Sequence, residues 1–261
     1  MTEQVLIEVC VDSVESAMAA EHGGARRVEL CSNLLDGGVT PSSGLIATVR
    51  SRISIGLQVM IRPRSGDFDY SKDEYQIMQR DIVTAKELGA DGVVLGILDM
   101  EGRVDTGRTR RLVDLAAPLN VTYHRAFDMS SDLFQALEDL HTTGVNTILT
   151  SGGKPTAIEG VETLRRLVQT SNGSVAIMAG GGIEDHNVGS LIEQTGVREI
   201  HASLKFPVPS SMRFQNREIS MGTLEGREYE RFVVRQDKVQ KLLHAALHRA
   251  SKIRDGNVEA M

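Results

Sequence analysis

Short apolar runs alternate along this chain with longer stretches whose apolar residues recur at helical spacing, and the alternation continues from end to end. The runs predict strands at Leu6–Val11, Arg27–Cys31, Leu57–Ile61, Gly92–Ile97, Asn120–His124, Thr147–Thr150, Val175–Ala179 and Glu199–Ala202. Helices are predicted from Asp12 or Ser13 to Gly23, over Ser43–Arg52, Lys72–Leu88, Asp105 to Ala117, Asp132–His141, Ile158–Gln169, Asp185–Thr195 and Val234–Ala250. Gly23-Gly24, Gly89, Gly144 and Gly196 stand where helices should stop, because a residue with no Cβ enters the left-handed conformation at low cost. Within the first two strands the faces separate. Val9, Val11, Val28 and Leu30 share one face, whereas Glu8, Cys10, Glu29 and Cys31 share the other, because side chains alternate with period two.

A helix after every strand argues for parallel βα units, and eight such units predict a single closed (β/α)8 barrel rather than an open doubly wound sheet. The length of 261 residues suits one barrel domain spanning 1–261, with Arg254–Met261 expected to fray. The Glu/Cys face then lines the barrel interior and the Val/Leu face packs under the helices. The segment Lys205–Arg231 is long for a loop and is expected to act as a lid. A net charge of −6 offers no basic footprint for nucleic acid or an anionic membrane, and no apolar run approaches the length of a spanning helix. The opening MTEQVLIEV goes straight into a strand, so no secretory signal is expected. Two cysteines make no disulfide framework, which points to a reducing cytoplasm.

Barrel chemistry sits at the C-terminal ends of the strands. There the third strand runs into Met60-Ile61-Arg62-Pro63-Arg64, and alternation sets Arg62 and Arg64 on the side of Met60. The two arginines read either as counter-ions for Glu8 and Glu29 or as a clamp for a carboxylate or phosphate. The fifth strand ends in His124-Arg125-Ala126-Phe127-Asp128, where His124 is suited to acid–base work or metal ligation. Ser151-Gly152-Gly153 and Gly180-Gly181-Gly182 follow the sixth and seventh strands and are candidates to present bare N–H groups to an anion. Glu199, His201 and Ser203 point inward from the eighth strand. Adjacent strands lie about 4.8 Å apart, so Cys10 and Cys31 at equal depth can share one ion. Two thiolates suit soft Cu(I), whereas tetrahedral zinc would require His201 or a carboxylate as well.

The stretches Glu8-Val9-Cys10-Val11-Asp12-Ser13, Glu29-Leu30-Cys31-Ser32, Met60–Phe68, His124–Asp128, Leu149–Gly152, Gly180–Ile183 and His201-Ala202-Ser203 together resemble the CutC copper-homeostasis family, in the family's order. Ser65 departs from the glycine usual there. The resemblance implies a TIM-like barrel, a cytosolic homo-oligomer (dimer or tetramer) linked to copper tolerance or trafficking, and Cu(I) held by Cys10 and Cys31, with no organic cofactor. The residues also admit a barrel enzyme of unknown reaction on a small anionic substrate. In that reading Glu8, Arg62, Arg64, Arg125, Ser151, Gly152, Gly180, Gly181, Gly182 and His201 bind the anion, and Glu29, His124 or Asp128 transfers a proton.

Overall fold

The computed structural model describes residues 5–221 and 226–256. Eight parallel strands close into a barrel: β1 (Leu6–Val11), β2 (Arg27–Leu30), β3 (Gly56–Met60), β4 (Gly92–Leu95), β5 (Asn120–Tyr123), β6 (Thr147–Thr150), β7 (Ala176–Gly180) and β8 (Glu199–Ala202). Closure is made by β8 against β1, which sets His201 opposite Glu8. Helices α1 (Val14–His22), α2 (Ser43–Arg50), α3 (Lys72–Glu87), α4 (Thr106–Ala116), α5 (Leu133–His141), α6 (Val161–Ser171), α7 (Val188–Thr195) and α8 (Gln236–Gly256) follow the strands in turn. The barrel expectation is met.

Local chemistry starts several of these helices where the sequence says they should start. The side chains of Ser13, Ser42, Asp105 and Asp132 accept hydrogen bonds from the first free N–H groups of α1, α2, α4 and α5. Ser71 and Glu74 form a reciprocal capping box at α3. Two expected starts lie too early. Residues 151–160 are turns and bends before α6, and Asn187 caps a turn by accepting from the Glu184 N–H at 2.9 Å before α7 begins.

Two layers of side chains divide along the alternation. Ile7, Val9, Val28, Leu57, Val93, Val121, Ile148, Ile177 and Ile200 face the helices and join the main core. A separate small apolar cluster, Cys10, Cys31, Met60 and Val94 with Leu34 against it, forms inside the barrel. Barrels of this type are usually filled with branched apolar residues. Here much of the filling is polar: Glu8, Glu29, Gln58 and Thr122 are all buried. Gly92 makes room for this, since a Cβ there would stand 1.9 Å from Gln58 Oε1.

The segment after β8 is not one unpaired loop, as its length suggested, and its residues 222–225 lie outside the described residues. Lys205–Pro209 (β9) pairs antiparallel with Glu230–Val234 (β10). This hairpin is fastened to α1, as Arg231 pairs with Glu15 at 2.6 Å and the Val234 N–H donates to Ser16 Oγ at 3.1 Å. Because β10 takes Val234, the last helix begins at Gln236 and not at Val234. Of the tail expected to fray, Arg254–Gly256 continue α8, and 257–261 lie outside the described residues. No helix among the described residues is long and apolar enough to cross a membrane.

Candidate metal centre

Strand register builds the floor of the site. Glu8 stands beside Arg27 on β2 and beside His201 on β8, while Cys10 stands beside Glu29. Arg27 Nε donates to Glu8, and Arg27 Nη2 donates to Glu199 Oε2 at 2.7 Å. His201 Nδ1 meets Glu8 Oε1 at 2.8 Å. Burial pushes the Glu8 carboxyl up, but the Arg27 charge and the bond to His201 outweigh it and hold it below the ordinary value. Burial likewise opposes charge on His201, yet Glu29, Cys10 and Glu8 around it hold its pKa well above 6.5, so the ring is an imidazolium. The counter-ion of Glu8 is therefore Arg27, not Arg62 or Arg64, and Glu8 is committed to these partners rather than offered to a ligand.

On this floor lie the thiols. Cys10 Sγ and Cys31 Sγ are 4.0 Å apart, both buried, and Cys31 Sγ donates to Glu29 Oε2 at 3.4 Å. The contact with Cys31 pulls the Cys10 thiol well below its ordinary pKa, with His201 adding to the pull, whereas the same contact and burial hold Cys31 well above it. Burial, then the Cys10 charge, pushes the Glu29 carboxyl well above the ordinary range. The cluster thus sets one thiol held low, one held high and a carboxyl pushed up beside a histidine raised well above 6.5. Glu29 Oε1 is buried with no hydrogen-bond partner. Ligand atoms of Cys10, Glu29 and Cys31 lie within 4.8 Å of one another, and so do those of Glu8, Glu29 and His201. The sulfurs are too far apart for a disulfide, which needs about 2.05 Å. They are near enough to share an ion, since a metal–sulfur distance of about 2.3 Å, the zinc value, spans up to about 4.6 Å.

Above the thiols opens a cavity of about 1310 Å³, whose walls include Cys10, Glu29, Met60, Arg62, Phe68, His124, Leu149 and His201. Several expected anion ligands prove to be engaged elsewhere. Arg62 gives its terminal nitrogens to the carbonyls of Asp36, Gly38 and Gly66 and lies over Phe68 at 5.1 Å. Arg64 is not in the cavity wall. It pairs with Asp67 at 2.8 Å and Glu74 at 2.5 Å, because β3 ends at Met60 and alternation no longer holds beyond it. Asp128 accepts from Arg125 Nε at 2.8 Å, Thr150 Oγ1 at 2.5 Å, Ser151 N at 3.0 Å and Gly153 N at 2.9 Å. With its oxygens filled, Asp128 is an internal anion that orders the loop after β6, not a free proton carrier. Ser151 and Arg125 bond to each other at 2.7 Å, and the Gly152 N–H goes to Thr150 Oγ1 at 2.8 Å, so that loop is closed to an outside anion. Gly180 leaves space for His201, whose Cβ would be 3.3 Å from an added one; Gly181 and Gly182 do line the cavity.

His124 also departs from the expected acid–base role. The Ala126 N–H donates to its Nδ1 at 3.1 Å. Burial, then the Arg62 charge, pushes its pKa down to about 3, so the ring is neutral and carries its proton on Nε2. Sequence reasoning missed Arg27 as the ionic centre. The signal was available, since Arg27 shares the strand face of Glu29 and Cys31.

The fold and site define a class: a (β/α)8 barrel with a buried dithiol–carboxyl cluster at the C-terminal ends of its first two strands. The chain belongs to the CutC family, whose profile matches residues 5–206. It is 47% identical over 238 residues to the copper homeostasis protein cutC homolog of Mus musculus, covering 91% of this chain and 88% of that protein. It is 43% identical over 240 residues to the family protein CutC of Chromobacterium violaceum, covering 92% and 97%. Among solved structures, the putative copper homeostasis protein CutC from Streptococcus agalactiae superposes with a TM-score of 0.73 at 34% identity, over 77% of this chain and 99% of that one. A thiamine phosphate pyrophosphorylase from Pyrococcus furiosus, at TM-score 0.59 and 18% identity over 95% of this chain and 98% of that one, shares the fold alone.

Two predictions follow from the buried charges. Arg27→Met strips Glu8 and Glu199 of their shared cation and should cost about 3–5 kcal/mol in urea unfolding, with part recovered by adding Glu8→Gln; a loss of about 1 kcal/mol or less, the value of a surface pair, would show that Arg27 carries no such burden. The second concerns His124, which binds a proton near pH 6.5 when unfolded but only near 3 when folded. The unfolded state therefore holds more protons between these values, and stability falls as pH falls. Relative to His124→Gln, the wild type should lose up to about 1.4 kcal/mol per pH unit across that window. Parallel stability curves would mean that His124 titrates normally.

Proposed function

We propose that this protein is a cytosolic copper-homeostasis protein that binds one Cu(I) ion between Cys10 and Cys31 at the floor of the barrel mouth. The observation that carries the reading is the 4.0 Å separation of two buried sulfurs, with the Cys10 thiol held well below its ordinary pKa. Thiolates are soft ligands, and the apolar collar of Leu34, Met60 and Val94 suits a soft ion of low coordination number. Charge supports the same reading. A bis-thiolate with a monovalent ion leaves one net negative charge, which the His201 imidazolium opposes. The cavity rim carries Asp36, Asp67, Asp69, Asp99, Glu184 and Asp185 against Lys205 and Lys238, a field that gathers cations. The name borne by the Mus musculus relative, copper homeostasis protein, agrees in kind. Exposed Met212, Phe214, Ile219 and Met221 beyond β9 favour a homo-oligomer.

Binding must displace the Cys31 proton, so affinity should weaken as pH falls. Anaerobic titration with Cu(I) against a competing chelator should give one ion per chain, and Cys10→Ser with Cys31→Ser should abolish it. Unchanged affinity in that double variant would reject the site.

A further inference from the structure

Above the thiols the same cavity holds polar groups that a copper ion on the floor leaves unused. The His124 ring is pressed against Gly96, where a Cβ would stand 2.6 Å from its Cε1 and Nδ1. Its Nδ1 accepts from Ala126, which leaves the ring proton on Nε2. His124 is only 4% exposed and lines the cavity, yet its Nε2 has no partner. Arg62, 6% exposed, lines the cavity too, and its Nε is likewise without a partner. Phe68 stands between the two, with its ring centre 5.0 Å from that of His124 and 5.1 Å from the guanidinium carbon of Arg62. Buried donors are nearly always paired, and an unpaired one calls for a missing partner. Met60, Leu98 and Leu149 supply apolar wall around them. About 1310 Å³ is far more room than one ion needs and exceeds the roughly 300–1,000 Å³ of ordinary small-molecule sites.

We infer that this chamber is a binding site for a small organic carboxylate with an apolar body, whose oxygens accept from His124 Nε2–H and whose charge is met by Arg62. The apolar body lies against Phe68, Met60, Leu98 and Leu149. Phosphate is the poorer fit: the N–H groups after β6 are given to Asp128 and Thr150, and among the described residues the buried donors of this wall left without a partner are two, Arg62 Nε and His124 Nε2, which match the two oxygens of one carboxylate. A carboxylate also draws more from a guanidinium than an uncharged carbonyl does. The site stands apart from the copper reading, because it uses neither sulfur.

Benzoate serves as the probe, with uncharged benzamide and inorganic phosphate as controls. The readout is the imidazole ¹⁵N spectrum of the full chain labelled at histidine. Benzoate should move the His124 Nε2 resonance saturably, benzamide should bind about tenfold more weakly or worse, and phosphate should leave the signal in place. The response should persist in Cys31→Ser, which keeps the His124 wall, and the resonance that moves is identified as His124 by its absence from the spectrum of His124→Gln. A His124 signal that benzoate never moves would overturn the site. Equal binding of benzamide would overturn the carboxylate assignment, and movement by phosphate would overturn the selectivity. Wild-type spectra alone decide these outcomes, whatever the variants' folding.

Discussion

Everything at the mouth of this barrel depends on one buried cation. Arg27 bridges Glu8 on β1 and Glu199 on β8, while His201 holds the other oxygen of Glu8. The chain of charges runs across β2, β1 and β8, and so spans the seam where the barrel closes. Charges taken out of water are costly unless each finds a partner of good geometry. Here the partners come from different strands, so the ionic chain and the closed barrel require each other. Once Nδ1 of His201 is fixed on Glu8, its Nε2 faces Glu29, 3.8 Å from Oε2, and its charge adds to the pull that the contact with Cys31 exerts on the Cys10 thiol.

That dependence explains what could be read from the chain and what could not. Period-two alternation placed Glu8, Cys10, Glu29 and Cys31 inside the barrel, because each lies within a strand whose other face is continuously apolar. The same rule, carried past Met60, misplaced Arg64, since the chain leaves the sheet there and folds the guanidinium onto Glu74. Pairing was less legible than placement. Glu8 faces Arg27 only once strand register is known, and register in a closed barrel is a property of all eight strands together. The Asp128 loop shows the converse error. Its glycines do present N–H groups to an anion, but the anion is a side chain of this protein, twenty-odd residues earlier in the chain. Lys205–Arg231 read as one loop because its strand partners are separated by a long polar stretch, and only the pairing of Phe206 with Val233 reveals the hairpin.

The cavity therefore offers two chemistries at two depths. Its floor is soft and anionic, built from thiols on β1 and β2 that an imidazolium keeps poised. Its wall is a pair of N–H donors flanking an aromatic ring on the opposite side of the electrostatic balance. Burial does different things at the two levels. At the floor it pushes the Glu29 carboxyl well above its ordinary range, and at the wall it keeps a histidine neutral so that it donates without carrying charge. The acidic rim admits cations more readily than anions, which fits the floor as the destination of an ion and the wall as the seat of a ligand with one buried charge.

The central claim, that the buried dithiol is the metal site, meets its most direct test in X-ray absorption at the copper edge on the full chain loaded with Cu(I) under anaerobic conditions. Two sulfur scatterers per copper at an ordinary thiolate bond length, both lost when Cys10 and Cys31 are replaced by serine, is the predicted spectrum. Copper surrounded by nitrogen and oxygen alone in the wild type would contradict it.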